Sequence, residues 1–367
     1  MGWNLLKYQR QLMDWLPVPL PRRLAMARII RAEIFNPREV AVLHLCARVC
    51  RRCFLLGDDP FTQKNFDHRK NWVEGQLKVQ AAAFSIDLIT LAVMSNHIHL
   101  VLRSRPDVVD TWDDREVARR WLMICPKRKD KSGNALEPNE SEIESIRSNP
   151  VALKTVRLRL SDVSWWMRIL CQKIAMRANK EDKEVGKFFQ GRFKAVRLLD
   201  EEAILACSAY VDLNPIRAAM AHSIETSKFT SAKLRFEAAK QQTPHPSTGP
   251  DCFLAPIMLD STKGSEGPKP SRYKKRCSDK GVLPLSNLDY LQLLDLTARM
   301  QRSDKRGYTP RDLPPLLERL GIDTERWRLL TKDFGRMFSQ VAGKAQSVHD
   351  ARSLKTKRRF YLKRLVQ

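Results

Sequence analysis

Two β-rich runs, Ile86 to Val93 and His97 to Leu102, are separated only by Met94, Ser95 and Asn96, and this spacing constrains the fold more than any other feature of the chain. So short a break between strand-forming runs predicts a tight hairpin, and hence an antiparallel pair. Upstream, a strand runs from Val40 through His44 and Leu45 to about Arg51, followed by a loop through Gly57, Asp58, Asp59 and Pro60. From His68 to Ala83, the apolar residues Trp72, Leu77, Val79 and Ala82 suit a helix packed on a sheet. Downstream, Arg115 to Ile124 reads as a helix with Val117, Trp121 and Ile124 on one face. A second helix, capped by Ser161 with Asp162 in its first turn, turns Val163, Trp166, Ile169, Leu170 and Ile174 inward. Phe188 to Phe193 leads into a strand ending near Leu199, and Asp200 opens a helix from Glu201 to Leu213 that Pro215 stops. The order strand, helix, hairpin, helix, strand, helix predicts an α+β fold: an antiparallel sheet with packed helices, of ferredoxin-like character.

Composition divides the chain around that unit. Residues 1–25 are basic and carry Pro17, Pro19 and Pro21, which predicts an arm. The main domain is expected over 26–240, with a polar insertion at 127–149 that contains Gly133, Pro138 and Asn139. Residues 241–284 turn to Pro, Ser, Gly and Lys and read as a linker. Residues 285–367 form a small, basic, helical unit, with helices over 285–302 and 313–341 and a capping pair in Ser286 and Asp289. Its tail, with Lys355, Lys357, Arg358, Arg359, Lys363 and Arg364, suits phosphate contact or plain solvation.

Charge narrows the partners. The 367 residues hold 66 Lys and Arg against 41 Asp and Glu, a net charge of +25. So large an excess repels itself in a compact state and is usually matched to a polyanion. Nucleic acid fits, because each neutralised phosphate releases counterions. The most apolar stretch, Ala81 to Met94, contains Ser85 and Asp87 and falls short of the ~20 residues a membrane span needs. The start, Met1 to Arg10, lacks the apolar core of a signal peptide. Eight scattered cysteines suit a reducing cytoplasm, and Cys46, Cys50 and Cys53 have no partner pair at zinc spacing.

Within the hairpin, His97 and His99 are two residues apart on a strand, so both imidazoles point to one face while Ile98, Leu100 and Leu102 anchor the other. The pair could hold one divalent cation on an exposed sheet face, or be two polar residues there and no more. Tyr210 lies on the later helix, sharing a stripe with Ala203, Cys207 and Asn214. Alone it reads as an ordinary core tyrosine. Beside a metal it can be a nucleophile on a phosphodiester, provided a Lewis acid polarises the phosphate. His97, His99 and Asn214 supply two imidazoles and an oxygen, a sensible set for Mg²⁺ or Mn²⁺. Asn214 precedes a proline, which biases it away from helical geometry.

The run MSNHIHLVL resembles the histidine-hydrophobe-histidine motif of the single-tyrosine HUH endonucleases, and YVDLNPIRA resembles the tyrosine motif of their REP-associated tyrosine transposase branch. The likeness extends through Arg48 to Arg52, Phe66 to Arg69, Gly191 to Lys194 and Leu199 to Glu202, in the order expected between about Arg28 and His222. The resemblance implies that His97 and His99 are metal ligands, Asn214 a further polar ligand, and Tyr210 the nucleophile of a 5′-phosphotyrosine intermediate. It implies a bacterial, cytoplasmic, nucleoid-associated enzyme that nicks and joins single-stranded DNA next to palindromic hairpins, as a monomer or a homodimer. The alternative is a non-catalytic protein that binds such hairpins to regulate or mark repeats. Arg48, Arg51 and Arg52 are the expected DNA contacts. Arg192 and Lys194 either position phosphates or form a solvent face, and Arg217 either meets DNA or, the favoured reading, caps a turn. His44 and His68 receive no role.

Overall fold

A computed structural model describes residues 34–50, 54–59, 62–131, 133, 135–241, 248–259, 267–300 and 322–353. The fold is mixed α+β: a five-stranded sheet with twelve helices among the described residues. Strand β1 (Ala41–Arg48) leads through helix α1 (His68–Ala83) into the hairpin of β2 (Ile86–Val93) and β3 (His97–Ser104). β3 enters the sheet between β2 and β1, antiparallel to both. β4 (Lys194–Leu198) pairs antiparallel with the other side of β1, and the two-residue β5 (Val341–Ala342) adds parallel to β4. The sheet order is therefore β2-β3-β1-β4-β5.

Between β3 and β4 run α2 (Pro106–Val109), α3 (Asp114–Ile124), α4 (Glu140–Arg147), α5 (Pro150–Leu160) and α6 (Val163–Asp182). The segment 127–149, expected as a surface insertion, contains α4, a helix closed by a capping box between Asn139 and Glu142. Its Ile143 packs on Ala118 and Leu122 of α3. At the head of α6, Asp162 is the cap and not Ser161: its carboxylate accepts from the Ser164 N–H at 2.7 Å, while the Ser161 hydroxyl donates to the Pro37 carbonyl. Ser161 instead closes α5, which leaves Asp162 as the extended residue at the start of α6.

Strand alternation gives the sheet two different faces. On one, Leu43, Leu45, Ala47, Ile98, Leu100 and Leu102 meet Val73 and Leu77 of α1 and Trp166, Leu170 and Ile174 of α6. On the other, Val42, Val101, Ile89 and Val196 meet α7 (Glu201–Asp212), α9 (Ser231–Lys240), α10 (Asn287–Met300) and α11 (Thr324–Met337). Asp200 caps α7 by accepting from the Ala203 N–H at 2.8 Å. Leu213 closes α7, and Asn214 with Pro215 opens the single turn α8 (Asn214–Arg217). A last helix, α12 (Ala345–Ser353), follows β5.

The C-terminal helices are bound into this second layer. The Tyr290 hydroxyl of α10 donates to Asp212 at 2.7 Å, and the Trp327 indole of α11 donates to Thr297 of α10 at 2.9 Å. Arg326 of α11 pairs with Glu202 at the start of α7, 2.9 Å away. The expected pair of Ser286 and Asp289 caps α10, each backbone N–H reaching the other's side chain. The segment expected as a linker is packed in its described parts. Phe253, Leu254 and Cys277 join the core of the first face, and Ser278 donates to the buried Asp87 carboxylate, which Arg103 also grips at 2.7 Å.

Both long edges of the sheet are covered. On the β2 side, the Ala255 N–H donates to the Leu88 carbonyl and the Val93 N–H to the Phe229 carbonyl. On the β4 side, Arg197 and Leu199 donate to Gln340 and Ala342. No helix is long and apolar enough to cross a membrane among the described residues.

Candidate active site

His97 and His99 project from β3 to the α7 face, with ring centroids 4.7 Å apart. The common face is the one predicted, but it is not an exposed one. His99 is only 5% accessible, packed under Tyr210 of α7, and His97 is partly buried. Phe334 of α11 in turn closes over Tyr210 and His44.

His44, given no role from the sequence, lies against His99. The rings stack 5.1 Å apart, and His44 Nε2 lies 2.8 Å from His99 Nδ1. His97 Nδ1 lies 2.6 Å from the Asn96 side-chain oxygen, to which it donates. Burial pushes His44 and His97 down to about 4, with the nearby positive Arg48 adding to the effect on His97. Burial also holds His99 well below its ordinary value. All three imidazoles are therefore neutral at pH 7, the form that binds metals.

The Tyr210 ring meets both, 5.8 Å from His99 and 6.0 Å from His44, edge-on in each case. Burial raises its phenol, while the Arg217 guanidinium and a side-chain hydrogen bond with Asn214 pull it back. Arg217 lies 5.3 Å over the Tyr210 ring and donates to the Tyr210 carbonyl at 3.2 Å. Asn214 thus sits beside the phenol, as the stripe predicted. Phe334 of α11 is buried against Tyr210 and His44, with centroids at 6.0 and 6.3 Å. The phenol oxygen faces Gly335 so closely that a Cβ on that glycine would come within 2.6 Å of it.

The donors suit a divalent cation in part. His97 and His99 each have Nδ1 engaged, which leaves Nε2 to bind a metal once His99 Nδ1 carries the proton it shares with His44. Among the described residues no three His, Cys, Asp or Glu side chains are gathered to hold a metal ion. Oxygen donors would therefore come from Asn214 and from the substrate.

The basic residues gather at one end of the sheet. Arg48, the last residue of β1, pairs with His97 in register, and Lys194, the first of β4, pairs with Cys46. Arg192 lies exposed on the turn just before. Arg51 and Arg52 lie outside the described residues, as do the N-terminal arm and the basic tail. Cross-strand register is what brings His44 to His99, and the sequence gives no register between strands so far apart.

No family model and no curated protein matches the chain. Among solved structures, a REP-associated tyrosine transposase bound to a REP hairpin is similar over 60% of this chain and 89% of that one, at 10% identity and a TM-score of 0.31. At that distance the reading of function rests on the site.

Proposed function

We propose that this protein is a DNA nicking and joining enzyme acting on single strands beside hairpins, with Tyr210 as its nucleophile. The observation that carries the reading is one juxtaposition: a phenol packed edge-on against His99, next to His97, on one face of a sheet whose basic end is two residues away. The strand order β2-β3-β1-β4, antiparallel throughout, suits the ferredoxin-like plan expected from the sequence.

In the proposed reaction the Tyr210 oxygen attacks the scissile phosphorus and gives up its proton. The bond from phosphorus to the 3′ oxygen breaks, and that oxygen takes up a proton to become a free 3′-OH. The 5′ phosphate remains esterified to Tyr210, and attack by a 3′-OH reverses the step to join strands. A divalent cation held by His97, His99 and Asn214 would polarise the phosphate as a Lewis acid. His44 holds the His99 ring in the orientation and tautomer this needs. Arg217 and Asn214 oppose the effect of burial on the phenol, and Arg48, Arg192 and Lys194 neutralise the flanking phosphates. The phenol oxygen faces Gly335, so α11 must shift before a phosphorus can come within the roughly 3–3.5 Å of a near-attack arrangement.

That cover favours one second reading, a hairpin-binding protein in which Tyr210 is a core residue. Tyr210→Phe separates the two. With labelled hairpin DNA in Mg²⁺ or Mn²⁺, the wild type should give a covalent adduct on a denaturing gel and the variant none, with hairpin binding retained by both. Absence of any wild-type adduct in either metal would leave the binding reading.

A further inference from the structure

Beside the basic end of the sheet lies a second feature, which shares Arg48 and Arg192 with the phosphate contacts above but adds aromatic walls that those contacts do not use. A pocket of about 360 Å³ opens between the start of α6 and the turn over residues 189–193. It is within the roughly 300–1,000 Å³ range of small-ligand sites, and near the lower end. Its lining mixes two kinds of group: the partly buried rings of Trp165, Phe189 and Phe193, and the guanidinium-bearing residues Arg48, Arg168 and Arg192. Arg168 is exposed and lies 4.7 Å over the Trp165 ring, and Arg159 lies 4.1 Å over the same ring, so Trp165 serves as a platform for a flat guanidinium surface. Among the described residues none of Arg48, Arg168 and Arg192 makes an ion pair with a carboxylate, in a chain of net charge +25.

The turn is built to hold this shape. The Gln190 N–H donates to the Arg48 carbonyl at 2.8 Å, and Phe189 bridges to Val49, so the turn is fixed to the end of β1. Gly191 has φ 54°, a left-handed conformation that a side chain disfavours, and it reverses the chain between Gln190 and Arg192. Arg48 belongs to both places: it lines this pocket, and it stands opposite His97 in the register of β1 and β3.

Aromatic faces with unpaired guanidinium groups suit a nucleobase and its phosphates, the combination by which single strands are held without base pairing. We propose that this pocket binds one unpaired nucleotide of single-stranded DNA, its base against Phe189, Phe193 and the Arg168 guanidinium that Trp165 supports, and its phosphates on Arg48 and Arg192. A duplex cannot enter, because its bases are stacked and paired. The pocket therefore distinguishes a hairpin with a single-stranded extension from a blunt one, and through Arg48 it holds that extension next to His97. The inference rests on the proposed DNA substrate but not on cleavage.

The test compares binding of a hairpin carrying an oligothymidylate extension with binding of the same hairpin made blunt, by fluorescence anisotropy without divalent metal. The wild type should prefer the extended hairpin. Trp165→Leu should weaken the extended hairpin roughly five- to a hundredfold, the span of one stacked base, and leave the blunt one almost unchanged. Trp165 also packs on Trp121, so the exposed-residue variant Arg168→Ser serves where Trp165→Leu fails to fold. It should reduce the same preference, whereas Arg147→Ala, a distant exposed arginine, should not. Equal wild-type affinity for the two hairpins, or an equal loss on both in the pocket variants, overturns the proposal. Tyr210→Phe keeps the outcomes apart: a persisting preference for the extended hairpin with no wild-type adduct would retain the subsite and remove the nuclease.

Discussion

The two faces of strand β3 make opposite use of the same eight residues. One face places Ile98, Leu100 and Leu102 in a core with aliphatic and aromatic side chains of α1 and α6. The other buries two imidazoles beside a third from β1 and a phenol from α7. Burial of polar rings is costly unless they are hydrogen-bonded, and here the rings satisfy one another or an adjacent amide. The first face holds the sheet together, and the second spends some of that stability on neutral, oriented nitrogen atoms.

Substitutions on the two faces should therefore fail differently. The largest effect expected is on His97: His97→Ala should remove adduct formation on denaturing gels while hairpin affinity stays within a few-fold, since phosphate contacts carry the affinity. Adduct at wild-type levels in that variant would erase the contrast between the faces. Next is Leu100→Ala on the apolar face, which should lower unfolding stability in urea by about 2–5 kcal/mol without selectively affecting chemistry.

Acid should act through the polar face. His44 and His97 have folded values of about 4, below the ~6.5 of an unfolded histidine. Between those limits the unfolded chain binds more protons, so stability is full above about pH 6.5 and is lost as pH falls toward 4. The loss for His44 should be on the order of 1–3 kcal/mol, and His44→Gln should flatten that part of the curve measured by thermal melts. An unchanged slope in that variant would show that His44 does not titrate as placed. The smallest effect expected is at the cover: Gly335→Ala would force a methyl group against the Tyr210 oxygen and should cost about 1–3 kcal/mol. It should also raise the exposure of the phenol, read as faster amide exchange in α11.

How much of this was legible in the sequence depends on the range over which the residues act. The hairpin of β2 and β3 and helix α1 follow local period and turn chemistry, and their limits were readable to within a residue or two. The common face of His97 and His99 follows from strand alternation alone. His44 was not readable, because its partner depends on β1 lying beside β3 in one register. Gly335 and Phe334 were not readable either, since nothing local ties α11 to Tyr210. Residues 241–284 read as a linker by composition, yet the Ser278 side chain and the Gly281 carbonyl bind Asp87, Arg103 and Arg105 of the hairpin region.

The two covered edges of the sheet have a consequence for how the protein can associate. An open strand edge presents a row of unpaired amides and carbonyls, a template on which another chain can extend the sheet. Here residues 229–231 and 255 occupy the outer side of β2, and residues 340–342 occupy that of β4. All of these segments follow β4 in the chain, so the sheet is complete in pairing only after the polypeptide has run far past its central strands. Until then, β4 has a bare margin. A truncated or nascent chain that ends before Gln340 exposes it, and would be expected to lose solubility through strand-to-strand pairing before it loses its fold.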